Sequence, residues 1–322
     1  MTATRQAARS ARAAEFEVVP LDAALGAAVR GLDLRQLDDE TFGRLHAAWL
    51  HHVLLVIRGQ SLEAADLVTL VRRFGTPVTS SGMHQRSLDE RTPSESLRLP
   101  PEVTVVSNVK RDGRAIGILG DGEVVWHSDF SFKERPTAAR MLVAMELPPE
   151  AGNTVFLNCY AAYEALSPDM KRRVSGVTIK QANIVDTAMQ VRPGMSLNMD
   201  FREVPGPSHP VISTHPETGH NMLFLGRRHG AYVNGCSLEE SEALLDALWV
   251  HATQPRFCYE HRWLPGDVVV WDNRATLHRR DAFDSESCRV LYAAQVEGHQ
   301  PFEAPDALAR PPHPRGADYI AR

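Results

Sequence analysis

A histidine and an aspartate, one residue apart, interrupt the apolar stretch VVWHSDFSF at residues 124–132. In a strand, side chains alternate between the two faces, so His127 and Asp129 are expected to point the same way and Ser128 the opposite way. Two such groups on one face can chelate one metal ion. An isolated pair is more often two hydrogen-bonded polar groups near a core, so a third ligand is needed to decide.

The candidate third ligand is His278, in GDVVVWDNRATLHRRD, where a strong strand signal ends in a turn before the histidine. Two imidazoles and one carboxylate on one side of an ion form the facial arrangement of non-haem Fe(II) sites, which leaves positions open for O₂ chemistry. The three residues together predict a metal centre. The histidines of HPVISTHPETGH (His209, His215 and His220) lack the compact spacing of a second, zinc site.

The chain has 322 residues, of which 43% are hydrophobic, and a net charge of −5, a composition typical of a globular protein. The mild acidity argues against nucleic acid as a partner, and no apolar run reaches the roughly 18–20 residues that cross a bilayer. The first residues, MTATRQAARSARAAEFEV, lack a hydrophobic signal-peptide centre, so we expect a cytoplasmic protein with a disordered leader at residues 1–14. The four scattered cysteines predict reduced, structural thiols.

The remaining residues, 15–322, predict one domain. Helical spacing marks DDETFGRLHAAWLHH, SLEAADLVTLVRRFG with Gly75 as C-cap, and SLEESEALLDALWVHA with a capping box at Ser237 and Glu240. Short β-branched or aromatic segments divided by Gly and Pro dominate after residue 101. The chain is therefore expected to be mainly β with flanking helices, as a sandwich or barrel. The breaker-rich segment 76–101 predicts a lid loop over the site.

Four motifs in a fixed order, WHSD, GNTVFLN, WLPGDVVVWDNRATLH and CRVLYAAQVEG, resemble the taurine dioxygenase and 2,4-dichlorophenoxyacetate dioxygenase family of Fe(II)/2-oxoglutarate-dependent oxygenases. The resemblance covers residues 16–298. It implies a double-stranded β-helix (jelly-roll) core with His127, Asp129 and His278 as iron ligands. It also makes Arg289 and Thr154 the residues that bind the distal carboxylate of 2-oxoglutarate, for which a guanidinium fork is well suited.

The resemblance also bears on the substrate. Where taurine dioxygenase has a sulfonate-binding arginine, four residues after the 2-oxoglutarate arginine, this chain has Ala293. Where the family has a substrate-contacting asparagine, four residues before the first ligand histidine, it has Glu123. A lost positive charge and a gained negative one favour a neutral or cationic substrate. The alternative is that Glu123 lies in a turn and faces solvent.

The implied reaction is hydroxylation of a C–H bond of a small organic substrate, with Fe(II), 2-oxoglutarate and O₂ consumed to give succinate and CO₂. A homo-oligomer, dimer or tetramer, is implied as well. Two alternatives use the same ligands: a non-catalytic or zinc-binding jelly-roll binding protein, and a zinc hydrolase. The binding protein would have no use for Thr154 and Arg289, and the hydrolase has no evident general base beside its ligands.

Overall fold

A computed structural model describes residues 15–79, 98–148, 152–200, 202–204 and 206–320. The predicted leader at residues 1–14 and most of the predicted lid at 76–101 lie outside these ranges. The helices are α1 (Asp39–His52), α2 (Ala64–Phe74), α3 (Cys159–Glu164), α4 (Pro168–Val174), α5 (Leu238–Ala252) and α6 (Pro314–Ile320), with short 3₁₀ helices at Pro255–Phe257 and Ala307–Ala309. No helix in these ranges is long and apolar enough to cross a membrane.

Nineteen strands are found in the described ranges. They are β1 (Glu17–Pro20), β2 (Ala27–Arg30), β3 (Leu54–Ile57), β4 (Thr104–Ser107), β5 (Lys110–Arg111), β6 (Arg114–Ala115), β7 (Ile118–Leu119), β8 (Val124–His127), β9 (Ala139–Glu146), β10 (Thr154–Asn158), β11 (Thr178–Gln181), β12 (Ser208–Pro210), β13 (Ile212–Thr214), β14 (Asn221–Leu223), β15 (Ala231–Val233), β16 (Cys258–His261), β17 (Val268–Asp272), β18 (Thr276–Arg280) and β19 (Val290–Gln295). The prediction of a mainly β chain is confirmed.

Two sheets carry the candidate site. The larger has eight strands in the order β1-β2-β3-β17-β9-β19-β4-β7, and the smaller has four in the order β16-β10-β18-β8. A third sheet, β12-β11-β15, and the hairpins β13-β14 and β5-β6 complete the strands. Most pairs are antiparallel, and β2-β3 and β4-β7 are parallel. The four-stranded sheet contains the adjacent strands β18 and β8, which carry two of the predicted ligands, His278 and His127.

Strand β17 shows how the core is divided. Val268 and Val270 belong to the apolar cluster that includes residues of α1 and α2. Val269 and Trp271 belong to a different cluster, shared with residues of β10 and β18. Because both faces of the strand are buried, its sequence is a continuous apolar run rather than an alternating one. The cluster on the Trp271 face fills the space next to the candidate site.

Local sequence signals place the predicted helix ends well. Asp38 caps α1 by accepting the Thr41 N–H, and Ser237 with Glu240 forms the capping box of α5. Gly75 ends α2 at φ +148°, outside the left-handed helical conformation of a common C-cap. Helices α3, α4 and α6 were not predicted, because each has only six or seven residues and is too short to show a helical period.

Candidate active site

Three ligand residues converge between strands β8 and β18. His127 ends β8 and pairs directly with His278 of β18, and their ring centroids are 4.1 Å apart. The carboxylate of Asp129 lies 3.5 Å from Nε2 of His127 and 3.6 Å from Nε2 of His278. One ligand atom from each residue lies within 4.8 Å of the others, and no other such group occurs in the described ranges. The sequence thus named three residues that the fold brings together.

Asp129 reaches this position by a route that the sequence analysis did not foresee. Strand β8 ends at His127, so alternation along one strand, the predicted reason, is wrong: Asp129 lies in the turn that follows. Phe130 next to it has a φ of +56°. Asn273, buried in the turn before β18, accepts the Asp129 N–H at 2.9 Å and donates to the Asp129 carbonyl at 3.0 Å. Asn273 therefore fixes the direction of the carboxylate.

The protonation states suit metal binding. Nδ1 of His127 lies 2.8 Å from the Val125 carbonyl, to which it can only donate, so Nε2 carries the free lone pair. Burial, and then His127, lower the pKa of His278 well below its usual range and keep it neutral. Burial alone would raise the pKa of Asp129, but Arg140 at 2.8 Å, with His278 next, holds it below its usual range. The site offers two imidazole rings and one carboxylate.

The donor set fits a divalent metal ion. Asp129 Oδ2 is buried and has no hydrogen-bond partner, an arrangement that is costly for a carboxylate oxygen unless a cation occupies the space before it. Two nitrogen ligands and one oxygen ligand on one side are the set that Fe(II) oxygenases use. Rings of Phe156 and Trp271 lie 6.0 Å and 5.0 Å from the His278 ring, which gives the ligands an apolar backing.

Arg289, the predicted 2-oxoglutarate residue, is buried. Its side chain is 2% exposed, and its Nη2 donates to the Gly152 carbonyl at 3.0 Å while its Nε has no partner. No carboxylate in the described ranges forms an ion pair with it. Burial, and then Arg280, lower the pKa of Arg289 to about 9, so it stays charged at neutral pH. A buried guanidinium is costly without a counter-ion, and its N–H groups are suited to hydrogen-bond a carboxylate.

Thr154 begins β10, and its hydroxyl is oriented by a residue that the sequence analysis missed. The indole N–H of Trp263 donates to Thr154 Oγ1 at 3.0 Å. With this lone pair occupied, the hydroxyl proton is left to donate to a second acceptor. The motif RWLPGD contains Trp263, but only the tertiary fold shows that its indole points to Thr154. Thr154 is thus prepared to donate a hydrogen bond to an anion.

The two arginines after His278 lie in different places. Arg279 pairs with the exposed Asp281. Arg280 is 5% exposed, and its Nε and Nη1 have no hydrogen-bond partner. Its guanidinium carbon lies 5.1 Å from the centroid of the Phe283 ring, and that of Arg289 lies 5.7 Å from the same centroid. The two buried guanidinium groups of Arg280 and Arg289 therefore lie near the same ring, that of Phe283.

Gly152 determines where the Arg289 side chain can lie. A Cβ at this position would approach Nε of Arg289 to 2.8 Å and its Cδ to 3.0 Å, and φ is +73°. We expect Gly152→Ala to displace the guanidinium and raise the KM for 2-oxoglutarate on the order of tenfold. Gly176→Ala is the matched control, because Gly176 has the same φ with nothing within 4 Å of its Cβ position. Equal KM values for the two variants, from steady-state succinate formation, would contradict this role.

The two predicted substrate residues occupy different environments. Ala293 lies in β19, is 3% exposed, and belongs to the core cluster between the sheets. Glu123 is exposed directly before β8. Roles in substrate binding remain predictions for both. Arg140 lies on β9, the strand that pairs with β19, and its guanidinium contacts the Asp129 carboxylate. This positive charge was not predicted from the sequence.

The histidines of the segment HPVISTHPETGH form separate hydrogen bonds. His215 Nε2 lies 2.9 Å from Asp272 Oδ2 and is its hydrogen-bond donor, since its Nδ1 accepts backbone N–H groups. His209 Nε2 lies 2.9 Å from the Ser131 carbonyl, and His220 Nδ1 lies 2.9 Å from the Pro311 carbonyl. Each ring has its own hydrogen-bond partner, and the three do not form a ligand cluster.

The described residues thus combine a His-Asp-His cluster that could hold a metal ion with a buried arginine that has no counter-ion among them. The family model described as "Taurine catabolism dioxygenase TauD, TfdA family" matches residues 17–295. The chain belongs to this family. It is therefore an oxidoreductase of the 2-oxoglutarate-dependent dioxygenase class, as the motifs predicted.

Individual relatives match over nearly their whole length. A (S)-phenoxypropionate/alpha-ketoglutarate-dioxygenase of Sphingobium herbicidovorans is 31% identical over 297 residues, which is 88% of this chain and 95% of that protein. Pentalenolactone F synthase of Streptomyces arenae is 32% identical, over 86% of this chain and 93% of that protein. The crystal structure of a taurine dioxygenase from Burkholderia xenovorans has a TM-score of 0.70 and 30% identity, covering 91% of this chain and 94% of that one.

Proposed function

We propose that the protein holds Fe(II) on His127, Asp129 and His278 and uses 2-oxoglutarate and O₂ to hydroxylate a C–H bond of a small organic substrate, releasing succinate and CO₂. The observation that carries the proposal is the convergence of three ligand residues, with Asp129 Oδ2 buried and unpartnered, in a chain that also buries Arg289 without a counter-ion among the described residues. The finer fold we assign is a double-stranded β-helix, supported by the eight-stranded and four-stranded sheets that share one core.

Each residue has a distinct task in this reaction. When bound, Fe(II) supplies the activation of O₂ and the oxidation of the C–H bond. His127 and His278 would hold the ion through ring nitrogens, and Asp129 would supply the single negative charge of the donor set. Arg289 binds the distal carboxylate of 2-oxoglutarate, and Thr154 donates a hydrogen bond to the same group. Both contacts hold the co-substrate in one orientation.

The alternatives explain fewer of the contacts. A zinc-binding or non-catalytic protein needs the three ligands, but it has no use for a buried Arg289 held by Gly152 or a Thr154 oriented by Trp263. The names of relatives include a phenoxypropionate and taurine, which supports a small-molecule substrate. A homo-oligomer of two or four chains and a cytoplasmic location are retained as parts of the proposal.

The proposed function is tested with the full chain under anaerobic conditions. Addition of Fe(II) and 2-oxoglutarate is expected to produce a metal-to-ligand charge-transfer absorption band, and admission of O₂ is expected to yield succinate even without the primary substrate, at a slow rate. The zinc-loaded protein is the matched control and is expected to show neither. A chain that gives no band and no succinate with Fe(II) is not an oxygenase of this type.

A further inference from the structure

Arg227 lies beside the metal ligands on the chain segment next to β8. His127 forms an antiparallel β-bridge with Arg227, and the Ser128 N–H donates to the Gly226 carbonyl at 2.9 Å. Because this hydrogen bond flanks the bridge, His127 and Arg227 form a non-hydrogen-bonded pair, whose side chains share one face and approach closely. His127 pairs with His278 on its other side. The Arg227 side chain therefore starts on the face that carries the metal ligands.

The positive charge of Arg227 is buried and has no direct carboxylate partner among the described residues. The side chain is 4% exposed, and the described residues supply no hydrogen bond or ion pair to its guanidinium, whose Nε is fully buried. Asp186 exerts an attraction on it, but Oδ1 of Asp186 accepts the N–H groups of Ala188 and Gln190 instead. Burial, and then Arg192, lower the pKa of Arg227 to about 10, which leaves it charged at neutral pH. A buried cation of this kind is costly unless an anion joins it.

The surroundings of Arg227 also contain apolar surface. The guanidinium of Arg192, which acts electrostatically on Arg227, lies 5.3 Å from the centroid of the Phe132 ring. Phe132 follows the Asp129 turn in sequence. The segment that contains Arg192 exposes four large apolar side chains: Met189, Val191, Leu197 and Met199. Flexible methionines adapt to varied apolar ligands. The region therefore suits a molecule with one anionic group and an apolar body.

We propose that Arg227 binds the anionic group, a carboxylate, sulfate or sulfonate, of an amphiphilic substrate. This inference rests on the proposed function, since it assigns the substrate class of the same site. It replaces the expectation of a neutral or cationic substrate. That expectation was based on two positions, where Ala293 replaces an arginine and Glu123 replaces an asparagine. The exposed Glu123 adds no charge to the interior, and Arg227 supplies from another strand the cation that position 293 lacks.

The test compares acids with their uncharged counterparts. The probes are 2-phenoxypropionate with 2-phenoxypropanamide, and hexyl sulfate with hexanol. For the wild type, the anion of at least one pair is expected to stimulate succinate formation, with kcat/KM at least about tenfold above that of its counterpart. In Arg227→Met, kcat/KM for the anion should fall on the order of 10- to 100-fold, as expected for loss of hydrogen bonds to a charged group. Arg227→Lys should recover part of the loss.

Two further measurements separate a binding role from a structural one. The melting temperature of the ligand-free Arg227→Met protein should equal or exceed that of the wild type, because a buried unpaired charge has been removed. Calorimetry with the metal-free protein should detect binding of the preferred anion to the wild type and lose it in Arg227→Met. Arg228→Met is the matched control, because Arg228 pairs with Glu242 and Asp246 of α5. It should leave the preference for the anion unchanged.

The outcomes distinguish this inference from the proposed function. If the wild type forms no succinate with Fe(II) and 2-oxoglutarate, the proposed function fails. If succinate forms but the wild type prefers the uncharged member or accepts neither member of any pair, the inference is overturned and the oxygenase remains. The inference is also overturned if Arg227→Met keeps the preference for the anion while Arg140→Met loses it, because the charge would then be bound from β9.

Discussion

Asp129→Ala is expected to abolish 2-oxoglutarate turnover and to lower the affinity for Fe(II) by more than about 100-fold. Changes to groups that merely support ligands already reduce metal affinity by about 10–100-fold, and Asp129 is itself a ligand. The substitution removes the only negative charge of the donor set and leaves Arg140, now 2.8 Å from the carboxylate, without its partner. Two imidazoles beside an unpaired guanidinium form a poor site for a cation. Equilibrium dialysis of Fe(II) and succinate formation measure the two effects.

Asp281→Ala is the control for this prediction. Asp281 is a carboxylate close to His278 in sequence, but it is exposed and pairs with Arg279 away from the ligands. Its loss should leave iron content and rate near those of the wild type, while circular dichroism shows that both variants are folded. An Asp129→Ala protein that retains wild-type iron content and succinate formation would show that the metal centre lies elsewhere.

Residue types and the order of the motifs were enough to predict which residues belong to the candidate site. The fold brings His127, Asp129 and His278 together, but the predicted strand geometry of Asp129 was wrong because a turn with Phe130 at positive φ follows β8. No periodicity reports such a turn. The hydrogen bond that directs Asp129 comes from a residue 144 positions away in the chain, at Asn273. Contacts of this separation depend on how the sheets pack.

The same limit applies around Arg289 and Arg227. The role predicted for Gly152 follows from the short distance between its Cβ position and the side chain of Arg289, which directly precedes β19. The local sequence does not encode this distance. Trp263 and Thr154 are separated by 109 positions. Arg227 stands in GRRHG, where nothing distinguishes it from Arg228, yet the bridge to His127 directs one arginine to the ligands while the other pairs with α5. Strand pairing thus separates two arginines that are neighbours in the sequence.

The fold was predicted where apolar segments are long or well capped. The strand signal GDVVVWDN corresponds to β17, because burial on both faces demands a continuous apolar run. The capping box of α5 marked its first residue. Helix α3 was missed because it continues directly from β10, where Asn158 caps it by accepting two backbone N–H groups. A strand that turns into a helix without a breaker leaves no local signal.

Arg289→Met is expected to raise the KM for 2-oxoglutarate by about 100-fold or more while a measurable kcat remains at saturation. The estimate follows from losing two charge-assisted hydrogen bonds of about 1.5–3 kcal/mol each. Arg289→Lys should give an intermediate KM, since an ammonium keeps the charge but not the two parallel hydrogen bonds. Steady-state succinate formation at varied 2-oxoglutarate measures both variants.

The pH dependence gives this prediction an independent signature. Burial, and then Arg280, lower the pKa of Arg289 to about 9 in the free protein, so the cation that binds 2-oxoglutarate is lost as pH rises through that value. The KM of the wild type should be constant between pH 7 and 8 and rise above about pH 9, whereas that of Arg289→Met should not show this rise.

The folded-state pKa of Arg289 lies below its unfolded-state pKa, so the charged form destabilises the ligand-free fold at neutral pH. Arg289→Met should therefore melt at a higher temperature than the wild type. If Arg280→Met, not Arg289→Met, raises the KM, the carboxylate is bound by Arg280, the other buried arginine beside Phe283.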